Sequence, residues 1–210
     1  MEQIDIYVKL NRKYIFKGAK NMQKRFGIDI DGTVTSPEAL VPFLNEGFNL
    51  KLTLDDITQY DLTPFVPVSK EEFYDWYLEN EGKIYEKSPI AEGAKEVLNE
   101  WDKKHQMYFI SARNSKNFDI TKAWLDRHGI RYDEIILLGS HNKVKAAREW
   151  NVDIFFEDRY ENAIEIHEEC KIPVILFDTP YNRKPLPDGI IRVKSWLEAK
   201  QWVEEWLKNS

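Results

Sequence analysis

The stretch FGIDIDGTV, residues 26–34, sets two aspartates two positions apart among Phe26, Ile28 and Ile30. An apolar run of this kind reads as a buried strand, where ionised carboxylates are costly unless something pairs with them. Side chains at i and i+2 of an extended strand share a face, so Asp29 and Asp31 are expected to stand as neighbouring carboxylates. Gly32 permits a sharp turn or a close backbone approach, and Thr33 offers a hydroxyl and an N–H where a loop or helix begins. Two close carboxylates tend to titrate apart, which supplies a nucleophile and an acid. Mg²⁺ is the hard cation suited to carboxylates together with phosphate oxygens. One aspartate at a strand end is more often a cap or a turn residue; two, followed by Gly-Thr, read as a cation site beside an anion site.

Working outward, the chain from residue 89 alternates short apolar runs with helical patterns. Ser88-Pro89 reads as a helix start, with the helix running to about His105. Strands follow at 107–111, 134–138, 153–157, 174–178 and 190–193, with helices at 115–128, 143–150, 161–169 and 195–208 between and after them. Trp196, Ala199, Val203 and Trp206 recur at helical spacing and form the core face of the last helix. Such alternation predicts an α/β fold with a doubly wound parallel sheet, covered on both faces and connected right-handedly. Ligands of these sheets bind beyond the carboxyl ends of the strands, which gathers IDIDGT, ISARN and FFEDR at one edge.

Residues 36–88 break the rhythm and read as a small helical cap inserted after the first strand. Thr53-Leu54-Asp55-Asp56 and Ser69-Lys70-Glu71-Glu72 both fit the capping-box pattern, and each is expected to open a helix. The proline-bearing segment 60–68 between them is a loop. The organisation expected is therefore a basic extension over 1–21, a core over 22–35 and 89–210, and a cap over 36–88.

At the gathered edge, Ser111 closes a strand and can donate to a phosphate, with Ala112 beside it and Arg113 adding a fork of donors. Lys143 opens a helix, where a cation opposes the dipole unless an anion sits nearby. Glu157-Asp158 closes another strand as a second acidic pair. Taken singly, each has an ordinary reading as a cap, a solvated lysine or a turn.

Composition narrows the rest. A formal charge of −6 over 210 residues argues against nucleic-acid polymers and membrane surfaces as partners. Residues 1–25 hold seven Lys/Arg against Glu2 and Asp5, so the remainder carries −11. The lone Cys170 cannot form an internal disulfide, no apolar run approaches a membrane span, and no secretory signal pattern opens the chain. The reading is cytoplasmic and soluble. His105, His128, His141 and His167 show no metal spacing, and neither a P-loop nor a G-x-G-x-x-G motif occurs.

The four motifs in order (Asp29-Ile30-Asp31-Gly32-Thr33, Ser111, Lys143, Glu157-Asp158) resemble the haloacid dehalogenase-like hydrolase superfamily over roughly residues 24–205. The stretches YDLTPFVPVS, FFEDRYENA and VILFDTPYN are similar to its 5′(3′)-deoxyribonucleotidase (type C) branch and to bacterial nucleotidases. The resemblance implies a Mg²⁺-dependent phosphomonoesterase. In it, Asp29 attacks phosphorus to form an aspartyl-phosphate, and Asp31 protonates the leaving oxygen and then activates water. Mg²⁺ is implied at Asp29, the Asp31 carbonyl and Asp158, with Glu157 as an alternative to Asp158. The phosphate is implied at Gly32, Thr33, Ser111, Ala112, Arg113 and Lys143, and the base of a nucleoside monophosphate at Phe65, Tyr60 and Trp76. Another small phosphate ester, such as a sugar phosphate, is the alternative substrate. A phospho-ligand binding protein without turnover is the alternative of another class, disfavoured because all four motif positions hold competent residues.

Overall fold

A computed structural model of the chain describes residues 23–209; the basic segment 1–21 lies outside them. Six parallel strands form one sheet in the order β3-β2-β1-β4-β5-β6. They are β1 (Arg25–Ile28), β2 (Gln106–Ser111), β3 (Glu134–Leu137), β4 (Ile154–Glu157), β5 (Val174–Phe177) and β6 (Ile190–Val193). The helices are α1 (Val41–Phe48), α2 (Lys70–Lys87), α3 (Ala94–Trp101), α4 (Phe118–His128), α5 (Val144–Glu149), α6 (Tyr160–Cys170) and α7 (Trp196–Lys208). The chain reverses direction across the sheet between β1 and β4, the point at which such sheets open a crevice.

The alternation seen in the opening stretch explains β1. Phe26, Ile28 and Ile30 are fully buried in one core cluster with Trp101, Trp124 and Trp196, from α3, α4 and α7. The other face packs on α5 and α6 through Val144, Ala147, Ala163 and Ile166. Gly27 points to that second face, where a Cβ would lie 2.6 Å from the Phe155 ring. Trp196, Ala199 and Val203 are buried as their spacing predicts, with Trp206 partly buried against them.

Three local expectations change. The strand ends at Ile28, although Asp29 N–H still donates to the Phe156 carbonyl (2.9 Å). Ser88-Pro89 does not open a helix: α3 starts at Ala94, after Gly93 in the left-handed region at φ 76°. Residues 88–91 are held elsewhere, because Ser36 N–H donates to Pro89 O, Ala91 N–H to Val34 O (each 2.8 Å), and Thr35 bridges Ile90 antiparallel. Of the two capping boxes, Ser69–Glu72 starts the 18-residue α2 with both reciprocal bonds made. Thr53–Asp56 starts only one 3₁₀ turn, because Ile57 is drawn into a separate apolar cluster with Val41, Leu44 and Val66.

Segment 36–88 thus leaves and rejoins the sheet side by side at the carboxyl end of β1. No helix among the described residues is long and apolar enough to cross a membrane.

Candidate active site

Asp29 follows β1 and is 5% exposed. Lys143, the residue before α5, is 2% exposed and hydrogen-bonds Asp29 Oδ1, and also Glu157 Oε2 at 2.8 Å. Burial works against the Lys143 ammonium, but Asp29 and Glu157 outweigh it and hold its pKa above the ordinary lysine value. Glu157, ending β4, also accepts from Asn162 Nδ2 (2.9 Å) and from the Arg159 N–H (3.3 Å). Asp158 accepts from the Tyr181 hydroxyl, and its carbonyl accepts from Asn182 Nδ2 at 2.6 Å.

Asp29, Glu157 and Asp158 each offer a carboxylate oxygen, all within 4.8 Å of one another and all buried. Burial raises the Asp29 carboxyl well above the usual range; Lys143 opposes this, and the charges of Glu157, Asp158 and Asp31 add to it. Burial, then the charge of Glu157, raises Asp158 to about 7 against the pull of Tyr181 and Lys143. Three buried carboxylates facing one lysine leave negative charge unbalanced, so the donor set fits a hard divalent cation.

Asp31 stands apart from that cluster. Its carboxylate, 44% exposed, takes two bonds from Arg113: Nη2 to Oδ1 at 2.6 Å and Nε to Oδ2 at 2.9 Å. The neighbouring carboxylates read from i, i+2 spacing therefore face different partners, because β1 stops before Asp29. The Arg113 side chain is 0% exposed, so its fork meets Asp31 and not the open cleft. Ser111 is buried and accepts from the Arg113 N–H (3.2 Å), with half-buried Ala112 between them. Gly32 N–H donates to Thr35 Oγ1 (3.0 Å), while the Thr33 hydroxyl is buried with no hydrogen-bond partner among the described residues.

A cavity of about 180 Å³ opens beside Asp31, Gly32 and Asp158; Leu40, Val41, Leu54 and Ile57 form much of its far wall. Tyr60 lines it, with Arg159 stacked 4.4 Å over the Tyr60 ring. Trp76 instead stacks on Phe73 at 5.9 Å and meets Phe48 at a tilt at 4.8 Å, and Phe65 is partly buried against the same cluster, so both pack on the apolar cluster of segment 36–88. Sequence reasoning missed Tyr181 and Tyr85. The only local signal for Tyr181 and Asn182 is their place just after β5, at the same edge.

The sequence model of the family described as 5′ nucleotidase, deoxy (pyrimidine), cytosolic type C protein matches residues 24–208. The chain belongs to this nucleotidase family. "Putative nucleotidase BH1399" of Halalkalibacterium halodurans is 49% identical over 90% of this chain and 96% of its own length. "Putative nucleotidase YqfW" of Bacillus subtilis is 48% identical over 85% of this chain and 93% of its own. "Nucleotidase CA_C3379" of Clostridium acetobutylicum is 34% identical over 87% and 95%. Among solved structures, the haloacid dehalogenase-like hydrolase SP0104 of Streptococcus pneumoniae superposes with a TM-score of 0.63 at 12% identity, over 86% of this chain and 98% of that one. The HAD hydrolase YfnB of Bacillus subtilis, described as bound to magnesium, gives 0.56 at 12% over 86% and 98%. These two likenesses establish the HAD-like fold, and the family makes this nucleotidase a hydrolase of phosphoric monoesters.

Proposed function

We propose that the chain is a Mg²⁺-dependent 5′(3′)-nucleotidase that hydrolyses (deoxy)nucleoside monophosphates through an aspartyl-phosphate. The observation that carries this is the Asp29–Glu157–Asp158 cluster, with Lys143 against Asp29 and with Asp31, held by Arg113, lining the same cavity as Asp158. Asp29 and Asp158 would hold Mg²⁺, with the Asp31 main chain; Glu157 already spends its oxygens on Lys143, Asn162 and the Arg159 N–H. When bound, Mg²⁺ supplies charge stabilisation to the phosphoryl oxygens.

Asp29 attacks phosphorus while the ester P–O bond breaks and Asp31 gives its proton to the leaving oxygen. Water then attacks the aspartyl-phosphate, Asp31 takes a proton from it, and the bond to Asp29 breaks to release inorganic phosphate. Lys143, Ser111, the Ala112 main chain and Thr33 hold the phosphoryl oxygens. Segment 36–88 acts as a cap that keeps bulk water from the cleft, and Tyr60, which lines the cavity, meets the nucleoside.

The test is phosphate release from nucleoside 5′- and 3′-monophosphates and from sugar phosphates, with Mg²⁺ and with chelator. Selective, metal-dependent release from nucleotides supports the reading. Release mainly from sugar phosphates keeps the mechanism and removes the substrate.

A further inference from the structure

Arg113 belongs to the core, yet helix α2 of segment 36–88 covers it. Its guanidinium carbon lies 3.9 Å over the Tyr85 ring, Nη1 donates to Thr121 Oγ1 of α4 at 3.1 Å, and the other two nitrogens grip Asp31. Tyr85 is 4% exposed and shares a 2.9 Å hydrogen bond with Tyr77, about two turns earlier in α2. A fully enclosed guanidinium is costly unless its partners stay in place. Turning Asp31 away would strand it, so the pair holds the carboxylate in one orientation.

We propose that Arg113 is the positioning residue for Asp31, and that α2, through Tyr85, holds Arg113 in register, so that docking of the cap sets the place of the proton donor. This rests on the reading of Asp31 as acid and base. Each carboxylate oxygen has two lone pairs. Arg113 occupies one on each oxygen and leaves the outer ones toward the cavity. The proton passes from there to the leaving oxygen as its bond to phosphorus breaks, and returns from water in the second step. Arg113 itself touches neither phosphate nor leaving group.

The experiment reads leaving-group release in single turnovers of the full chain with Mg²⁺. It compares a nucleoside monophosphate, whose alkoxide needs a proton, with p-nitrophenyl phosphate, whose phenolate leaves without one. General acid catalysis is worth about 10²–10⁴-fold, so Asp31→Asn loses that much on the nucleotide and far less on the nitrophenyl ester. Arg113→Lys and Tyr85→Leu are expected to show the same selective loss, at least about tenfold on the nucleotide, and Tyr85→Phe recovers most of what Tyr85→Leu loses. Equal losses on both esters in Arg113→Lys and Tyr85→Leu, or no loss, overturn the positioning role while Asp31→Asn still shows its selective loss. No selective loss in Asp31→Asn overturns the assignment of Asp31, and this inference with it. Tyr85→Leu leaves the buried ion pair itself intact and serves where Arg113→Lys fails to fold.

Discussion

The backbone at Gly32 runs so close to Asp158 that a Cβ at position 32 would overlap Asp158 Oδ2 and lie 2.8 Å from its Cγ. Gly32 also sits at φ +77°, where an L side chain costs about 1–2 kcal/mol. Gly32→Ala therefore displaces the very carboxylate assigned to the metal. The expected outcome is a weakening of Mg²⁺ binding by at least about tenfold, roughly 1.4 kcal/mol, read by calorimetric titration of folded protein. An unchanged affinity would separate Asp158 from the metal.

Lys143 is the cation between Asp29 and Glu157. Removing one partner of a buried ion pair costs about 3–5 kcal/mol. Lys143→Met should lose about that much stability in chelator, measured by urea unfolding, and recover part of it in Mg²⁺. Phosphate release should fall by about 10²–10³, the scale of a lost oxyanion-stabilising group.

Protons and metal compete for the acidic cluster. Asp158 has a folded pKa near 7 against an ordinary 3.8, raised first by burial and then by Glu157. Its contribution to metal-free stability is therefore fully present below pH 3.8 and is lost as pH rises through about 7. Metal binding needs the ionised form, so the rise in Tm on adding Mg²⁺ should be small at about pH 5.5 and grow through about pH 8. A Tm gain independent of pH across that window would contradict the assignment.

Leu44 and Tyr60 separate the stability of segment 36–88 from substrate contact. Leu44 is fully buried in the cluster of segment 36–88, so Leu44→Ala should cost about 2–5 kcal/mol in thermal or urea unfolding. Tyr60 is 41% exposed and lines the cavity beside Asp31. Tyr60→Leu should raise KM for a nucleoside monophosphate by about 5- to 150-fold, the equivalent of about 1–3 kcal/mol for a base stack, with little change in Tm. The opposite pattern would move the nucleoside elsewhere in the cleft.

Much of this arrangement is legible in the chain because its causes are local. Phe26, Ile28 and Ile30 alternate, Ser69 and Glu72 bond reciprocally, and polar residues follow apolar strands at one edge. The misreadings arise where tertiary pairing wins. Ser88-Pro89 has the local form of a helix start, but Pro89 O and Ala91 N–H are claimed by Ser36 and Val34. Trp76 and Phe65, partly buried, pack against the apolar cluster of segment 36–88, a contact that their place in the chain does not announce. The grip of Arg113 on Asp31 spans 82 positions, and the Tyr85 ring that covers Arg113 comes from α2, a contact no spacing in the chain encodes.

The most direct test is mass analysis of the Asp29-bearing peptide, after acid quench during turnover of a nucleoside monophosphate with Mg²⁺. A peptide one phosphoryl group heavier, absent in Asp29→Asn and in chelator, is the predicted result. Rapid phosphate release with that peptide never labelled, or full turnover by Asp29→Asn, would contradict covalent catalysis by Asp29.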